Sequence, residues 1–185
     1  MTVPIWLVRH GEASASWSEH PDPGLSELGN AQAVSASQWL SRHVPSGVHL
    51  VSSPKRRAQE TALPLATLLN ASVHIDSAFN EIAAPVPLSQ RQAWLRAYMG
   101  QKWSEQSHEV LAWRQRIITA LDDIRVPTVI FSHFLVINTV VAHIRNAPET
   151  LQCWPDNGSC HTFSKSSTGE LTLIELGREL ATRVN

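Results

Sequence analysis

Apolar residues in this chain fall into two patterns. Short runs bounded by proline, glycine or polar residues predict buried strands at residues 5–8, 49–52, 72–75 and 128–132. Longer stretches repeat apolar residues three and four apart, as a helix with one buried stripe requires. The clearest is Val110, Trp113, Ile117, Leu121 and Ile124, stopped by Pro127. Ser26 predicts a helix N-cap with Glu27 in the first turn, and the helix runs to about Arg42, before Pro45-Ser46-Gly47. Ser53-Pro54 has the form of an N-cap followed by proline at the first helical position, which predicts a helix to about Asn70. Shorter helices are predicted at 91–98 and 136–143, and a C-terminal hairpin at 161–165 and 171–176 around Ser167-Thr168-Gly169.

Strands alternate with helices up to about residue 145. That order predicts right-handed crossovers and an α/β fold: a three-layer α/β/α sandwich with a mainly parallel sheet and an antiparallel strand from the C-terminal hairpin. Residues 1–185 are expected to form one domain. Within it, residues 77–100 fit the pattern least, because Pro85 and Pro87 exclude regular structure at first, and residues 82–109 form the candidate lid segment. Trp94, Tyr98 and Trp103 there either pack the segment onto the domain or belong to a lid over a substrate pocket, and Arg91, Arg96 and Lys102 either select an acidic substrate or are solvated.

Composition narrows the function classes. The chain has 43% hydrophobic and 17% charged residues, a globular composition. A net charge of −1, from 15 basic and 16 acidic residues, argues against general nucleic-acid or membrane-surface binding. No apolar run is long enough to span a bilayer, and residues 1–4 lack the charged start of a signal peptide. Cys153 and Cys160 match no common zinc or redox spacing, which favours a reduced, cytoplasmic protein and leaves a disulfide between them open. The nine histidines show no metal-ligand spacing, so no metal site and no cofactor are expected.

The candidate chemistry lies at strand ends. In open α/β sheets, ligands bind beyond the carboxyl ends of the strands. The first strand ends in Arg9-His10-Gly11, the second leads through Ser52-Ser53-Pro54 into Lys55-Arg56-Arg57, and the fourth ends at His133. Gly11 would let the backbone approach a ligand closely. A helix N-terminus with guanidinium groups is an anion site, and two histidines facing it suggest phosphoryl chemistry. Singly, each has a plain alternative: Arg9-His10 as a solvated strand end, His133 as a satisfied core histidine, residues 55–57 as an exposed helix start. Their joint placement favours the site.

Five segments in this order resemble a known family. They are Leu7-Val8-Arg9-His10-Gly11-Glu12, then Asp22-Pro23-Gly24-Leu25-Ser26-Glu27-Leu28-Gly29-Asn30-Ala31-Gln32-Ala33, then Ser52-Ser53-Pro54-Lys55-Arg56-Arg57-Ala58-Gln59-Glu60-Thr61-Ala62, then Phe79-Asn80-Glu81-Ile82, and Val129-Ile130-Phe131-Ser132-His133. Together they resemble the histidine phosphatases, the phosphoglycerate-mutase-like superfamily, over almost the whole chain. The resemblance implies a metal-independent phosphomonoesterase working through phosphohistidine, with a phosphate ester as its partner. It makes His10 the nucleophile, Glu81 the general acid and base, and Arg9, Arg57 and a protonated His133 the phosphate-binding cations. Ser16 stands where the family often has asparagine, and Phe134-Leu135 where glycines commonly follow the second histidine, so both are candidate substrate contacts. Ala83-Ala84-Pro85-Val86-Pro87 replaces a Gly-x-Trp-Glu-Gly-like segment. Glu12 and Asp22 are alternative acids, Glu12 being otherwise a partner for an arginine.

Two other functions fit the same residues. A phosphoglycerate-mutase-type phosphotransferase is disfavoured by the short chain and by the missing segment after Glu81. A non-catalytic phosphate-binding or scaffold protein would usually have lost the nucleophile or the acid, and both are present.

Overall fold

The computed structural model describes residues 2–16 and 20–180. Met1, residues 17–19 and residues 181–185 lie outside the described residues. Six strands form one sheet in the order β3-β2-β4-β1-β5-β6. They are β1 (Thr2–Arg9), β2 (His49–Ser52), β3 (Val73–Ile75), β4 (Thr128–Ser132), β5 (Cys160–Ser166) and β6 (Leu171–Glu175). The first four are parallel where they pair, β1 with β4, β4 with β2 and β2 with β3. β5 runs antiparallel to β1, and β6 antiparallel to β5.

The unbroken apolar run of β1 follows from helices on both faces of the sheet. Successive side chains alternate between faces. Ile5 and Leu7 join Ile130 and Phe163 against α4 (His108–Asp122) and α5 (Phe134–Arg145). Trp6 and Val8 join Leu50, Val129 and Phe131 against α1 (Glu27–Leu40) and α2 (Arg56–Leu69), which contribute Ala36, Leu40, Ala62 and Leu65. The expected three-layer sandwich is thus formed, with both strands of the hairpin antiparallel.

Local signals set most helix ends. Ser26 accepts from Gly29 N at 3.0 Å, as an N-cap should. Asn70 and Asn146 close α2 and α5 in the left-handed region, at φ 48° and 49°. Two predicted ends move. α2 begins at Arg56 rather than beside Ser53: Ser53 Oγ accepts from Lys55 N at 3.2 Å and also lies 2.7 Å from His133 Nε2, while Asp22 Oδ1 accepts the Arg56 N–H at 3.0 Å. α4 stops at Asp122, short of Ile124 and Pro127. There Lys165 Nζ reaches in from β5 and donates to the carbonyls of Leu121, Asp122 and Ile124. A cation thus meets the negative end of the helix dipole.

Residues 82–109 contain α3 (Arg91–Met99). Tyr98 and Trp103 are buried in the cluster beneath α4, and Trp94 stacks on Tyr98 with ring centroids 5.3 Å apart. The aromatic residues therefore pack this segment onto the core. Both cysteines are free thiols, so the disulfide left open by the sequence is not formed. No helix among the described residues is long and apolar enough to cross a membrane.

Candidate active site

The parallel register brings three strand ends together. Arg9 lies opposite Ser132, and Ser52 opposite Phe131. Beyond them the backbone stays tied: His10 N donates to Ser132 O and Ser53 N to Phe131 O, each at 3.0 Å. His10, Ser53 and His133 thereby emerge side by side.

Arg57 joins them from the first turn of α2. Its Nε donates to His10 Nε2 at 3.0 Å, and its Nη2 lies 3.3 Å from His133 Nδ1. Arg57 has only protons to give, so both ring nitrogens it meets must be acceptors. His10 Nδ1 lies 2.7 Å from Gly11 O, a carbonyl that can only accept, so Nδ1 carries the proton and Nε2 the lone pair. In His133 the order is reversed: Nδ1 accepts and Nε2–H donates to Ser53 Oγ at 2.7 Å. Both rings are therefore neutral. Burial, then the guanidinium of Arg57, pushes the pKa of each well below the ordinary histidine value. His133 is thus a neutral ring in this site, not the protonated cation expected from the sequence. Desolvation beside two guanidinium groups makes a third charge too costly.

A pocket of about 680 Å³ opens over this cluster, bordered by Arg9, His10, Arg57 and Glu81. Arg9 Nη1 donates to Pro155 O at 2.7 Å, and its guanidinium carbon lies 5.2 Å from the centre of the Phe134 ring. Burial lowers its pKa to about 10, which still leaves it charged at neutral pH. Arg9 Nε and Arg57 Nη1 are buried without a hydrogen-bond partner, although Nη1 is 3.9 Å from Asp22 Oδ1. Glu81 is held by its neighbours. Ser132 Oγ donates to Phe79 O at 2.9 Å and Trp113 Nε1 to Asn80 O at 2.9 Å. Burial raises the Glu81 pKa, and Arg57 with the N–H groups of Ile82 and Leu135 opposes the rise.

Of the predicted site residues, Arg9, His10, Ser16, Arg57, Glu81 and Phe134 border the pocket. His133 does not; it is fully buried behind His10 and Arg57, with the two imidazole centroids 5.2 Å apart. Lys55 and Arg56 also stay outside, Lys55 Nζ turned to Pro21 O and Arg56 paired with Glu60 at 2.6 Å. Arg91, Arg96 and Lys102 do not border it either. Glu12 accepts a 2.7 Å hydrogen bond from Ser26 Oγ, so its partner is a serine and not an arginine.

Gly11 has a different reason from the one expected. A Cβ there would fall well inside van der Waals contact of the Gly29 carbonyl, and one on Gly29 would do the same to Glu12 O. The close approach seen here is between two backbones of the protein. Thr61 secures the same corner, accepting from Gly11 N at 3.0 Å and donating to Arg57 O at 2.7 Å.

Leu95, Met99, Trp154, Asn157 and Leu180 border the pocket without having been singled out by the sequence. Asn157 Nδ2 donates to His10 O at 3.1 Å, and Gly158 N, at φ 70°, donates to Arg9 O at 3.0 Å. The Asn157-Gly158 pair was a turn signal available in the sequence; the others carry no local signature.

Comparison with known proteins agrees with this arrangement. The model of the histidine phosphatase superfamily (branch 1) matches residues 5–170. A search of curated proteins gives no match. Similar solved structures include a mycobacterial glucosyl-3-phosphoglycerate phosphatase, 21% identical, covering 97% of this chain and 100% of its own, with a TM-score of 0.74. A phosphoserine phosphatase from Entamoeba histolytica, bound to 3-phosphoglyceric acid, is 20% identical over 95% of this chain and 97% of its own, with a TM-score of 0.73. An Escherichia coli protein provisionally titled an alpha-ribazole-5'-P phosphatase is 21% identical over 95% and 96%, with a TM-score of 0.75. With the family's residues gathered at three strand ends and its model spanning most of the sequence, the chain belongs to the histidine phosphatase superfamily, branch 1.

Proposed function

We propose that this protein is a phosphomonoesterase that carries the phosphoryl group on His10. The observation that supports it most directly is the His10 tautomer. Gly11 O holds the proton on Nδ1, so Nε2 carries the lone pair, which accepts from Arg57 Nε at 3.0 Å beside the pocket that both residues line.

In the first step His10 Nε2 attacks phosphorus, the bond to the ester oxygen breaks, and Glu81 gives its proton to the departing alkoxide. Burial favours the protonated carboxyl that this step needs. In the second step Glu81, now a carboxylate, takes a proton from water as the water attacks phosphorus. The P–N bond breaks, releasing phosphate and the neutral imidazole. Arg9 Nε and Arg57 Nη1, both buried without a partner, are suited to phosphoryl oxygens, since a buried donor is rarely left unpaired. Guanidinium groups already in the site stabilise the charge of an in-line transfer once Arg57 Nε releases His10 Nε2. His133 acts from behind, as an acceptor that orients Arg57.

The phosphatases among the similar structures are consistent with this reading. Residues 82–109 contribute a pocket wall through Leu95 and Met99. The reading is tested by incubating wild type and His10→Ala with a panel of phosphate monoesters and measuring released phosphate. Turnover by wild type and none by the variant supports it. Equal turnover by both refutes it.

A further inference from the structure

We infer that the substrate, given the phosphatase reading on which this rests, is a monoester whose alcohol part is apolar and uncharged. The pocket divides by chemistry. Arg9 and Arg57 stand beside His10, where the phosphate must lie for attack. Phe134 of α5 packs on Arg9, and the rest of the wall is mostly apolar, with Leu95 and Met99 of α3, Trp154 and Leu180 beside the uncharged polar Ser14, Ser16 and Asn157. Trp154 is 40% exposed and meets Phe134 edge to face, ring centroids 5.7 Å apart. An aromatic pair with an open face favours apolar contact.

A substrate with a second anion would need a second cation. Among the described residues no lysine, and no arginine other than Arg9 and Arg57, borders the pocket. Arg56 is neutralised by Glu60 outside it, and Lys55 turns to a backbone carbonyl. The remaining acidic groups on the wall are Glu12 and Glu81, of which Glu81 enters the proposed reaction protonated. A carboxylate on the substrate's far end would therefore lose water, face like charge and gain no partner. A hydrocarbon end gains about 0.8 kcal/mol for each methylene it buries.

The test uses two matched pairs that differ only at the far end. The first pair is n-hexyl phosphate and 6-(phosphonooxy)hexanoate, whose alkoxide leaving groups are nearly the same. The expected result is a kcat/KM roughly tenfold or more higher for the hexyl ester, the size of one or two buried methylenes. Equal values, or a preference for the acid, overturn the inference. The second pair is hexylphosphonate and 6-phosphonohexanoate, bound to wild type and followed by calorimetry. This pair needs no turnover, so it separates the two ideas. Tighter binding of hexylphosphonate with no hydrolysis of any ester keeps the apolar assignment and refutes the phosphatase reading. Equal or reversed affinities overturn the apolar assignment whatever the activity. Leu95→Arg should raise the ratio of acid to hexyl binding by roughly tenfold, one added ion pair in a partly dry pocket; an unchanged ratio counts against Leu95 facing the alcohol part. Met99→Ala should weaken hexylphosphonate several-fold and leave methylphosphonate unchanged. Equal weakening of both refutes the contact.

Discussion

Arg57 Nε donates a 3.0 Å hydrogen bond to Nε2 of His10, the nitrogen that attacks phosphorus in the proposed reaction. The same guanidinium reaches His133 Nδ1 at 3.3 Å. Arg57 thus keeps both rings unprotonated and covers the nucleophile's lone pair, which it must yield as a phosphate takes its donors.

Removing that charge should therefore change His10 in a specific direction. Arg57→Gln is expected to raise the His10 pKa, because the largest cause after burial is the Arg57 charge. It should also lower kcat/KM by roughly 10²–10³-fold, the usual cost of losing one preorganised donor to transition-state charge. NMR titration of the His10 ring in wild type and variant checks the first outcome, and steady-state kinetics the second. An unmoved pKa counts against the electrostatic role of Arg57.

The intermediate can be trapped. A labelled phosphate ester quenched in alkali should leave base-stable, acid-labile label on wild type and none on His10→Ala. Equal labelling of both proteins would exclude His10 as the nucleophile.

Glu81 should matter in proportion to the leaving group. An alkoxide needs a proton as the P–O bond breaks, whereas p-nitrophenolate hardly does. Glu81→Gln is expected to lower kcat/KM for an alkyl phosphate by roughly 10²–10⁴-fold and much less for p-nitrophenyl phosphate. Because burial raises its pKa, the alkaline fall of kcat/KM should begin above the ordinary carboxylate range. Glu12→Gln should show no such dependence on the leaving group, since Glu12 is bound to Ser26. The dependence appearing in Glu12→Gln and not in Glu81→Gln would reassign the acid.

Gly29→Ala reverses a usual rule. Alanine in a helix normally gains up to about 1 kcal/mol over glycine. Here the added methyl collides with the Glu12 carbonyl beside the catalytic loop. The expected result is a loss of about 1–3 kcal/mol, as for other overpacked sites, measured by urea unfolding, together with lower kcat. A gain in stability would mean that the backbone crossing is loose.

Acid should weaken the fold through His161. This buried ring accepts from Gly177 N at 3.1 Å through Nδ1, and Nε2 lies 2.9 Å from Ser159 Oγ. Burial lowers its pKa from 6.5 to about 4. The unfolded chain therefore takes up this proton before the folded one. Stability is full above pH 6.5 and falls as the pH drops toward 4, by about 3 kcal/mol in all. His10 and His133 act in the same direction. Urea unfolding at several pH values should show a shallower slope over this window in His161→Asn. An unchanged slope would remove His161 from the account.

Part of the site was legible because it depends on local signals. Buried runs with polar ends mark β1 and β4, and these ends are where Arg9, His10 and His133 lie. What was not legible depends on distance. Ser53 has the form of a helix cap and does accept from Lys55 N, but its hydroxyl also meets His133, 80 residues on. Asn157 reaches the His10 carbonyl across 147 residues, with only a turn signal at its own position. The charge of His133 follows from burial beside cations, which no residue pattern states. Trp154 and Leu180 come from irregular chain, where periodicity has nothing to report.

The place of β1 in the sheet also orders events during synthesis. Its two neighbours are β4 and β5, so the strand that carries Arg9 is made before both and paired late. A nascent chain cannot pair β1 until residues 128–132 leave the ribosome, and cannot cover its other edge until residues 160–166 follow. Until then an apolar strand waits with open hydrogen-bonding edges, a state prone to aggregation. The strand ends that gather Arg9, His10 and His133 are correspondingly not assembled in any shorter intermediate of translation.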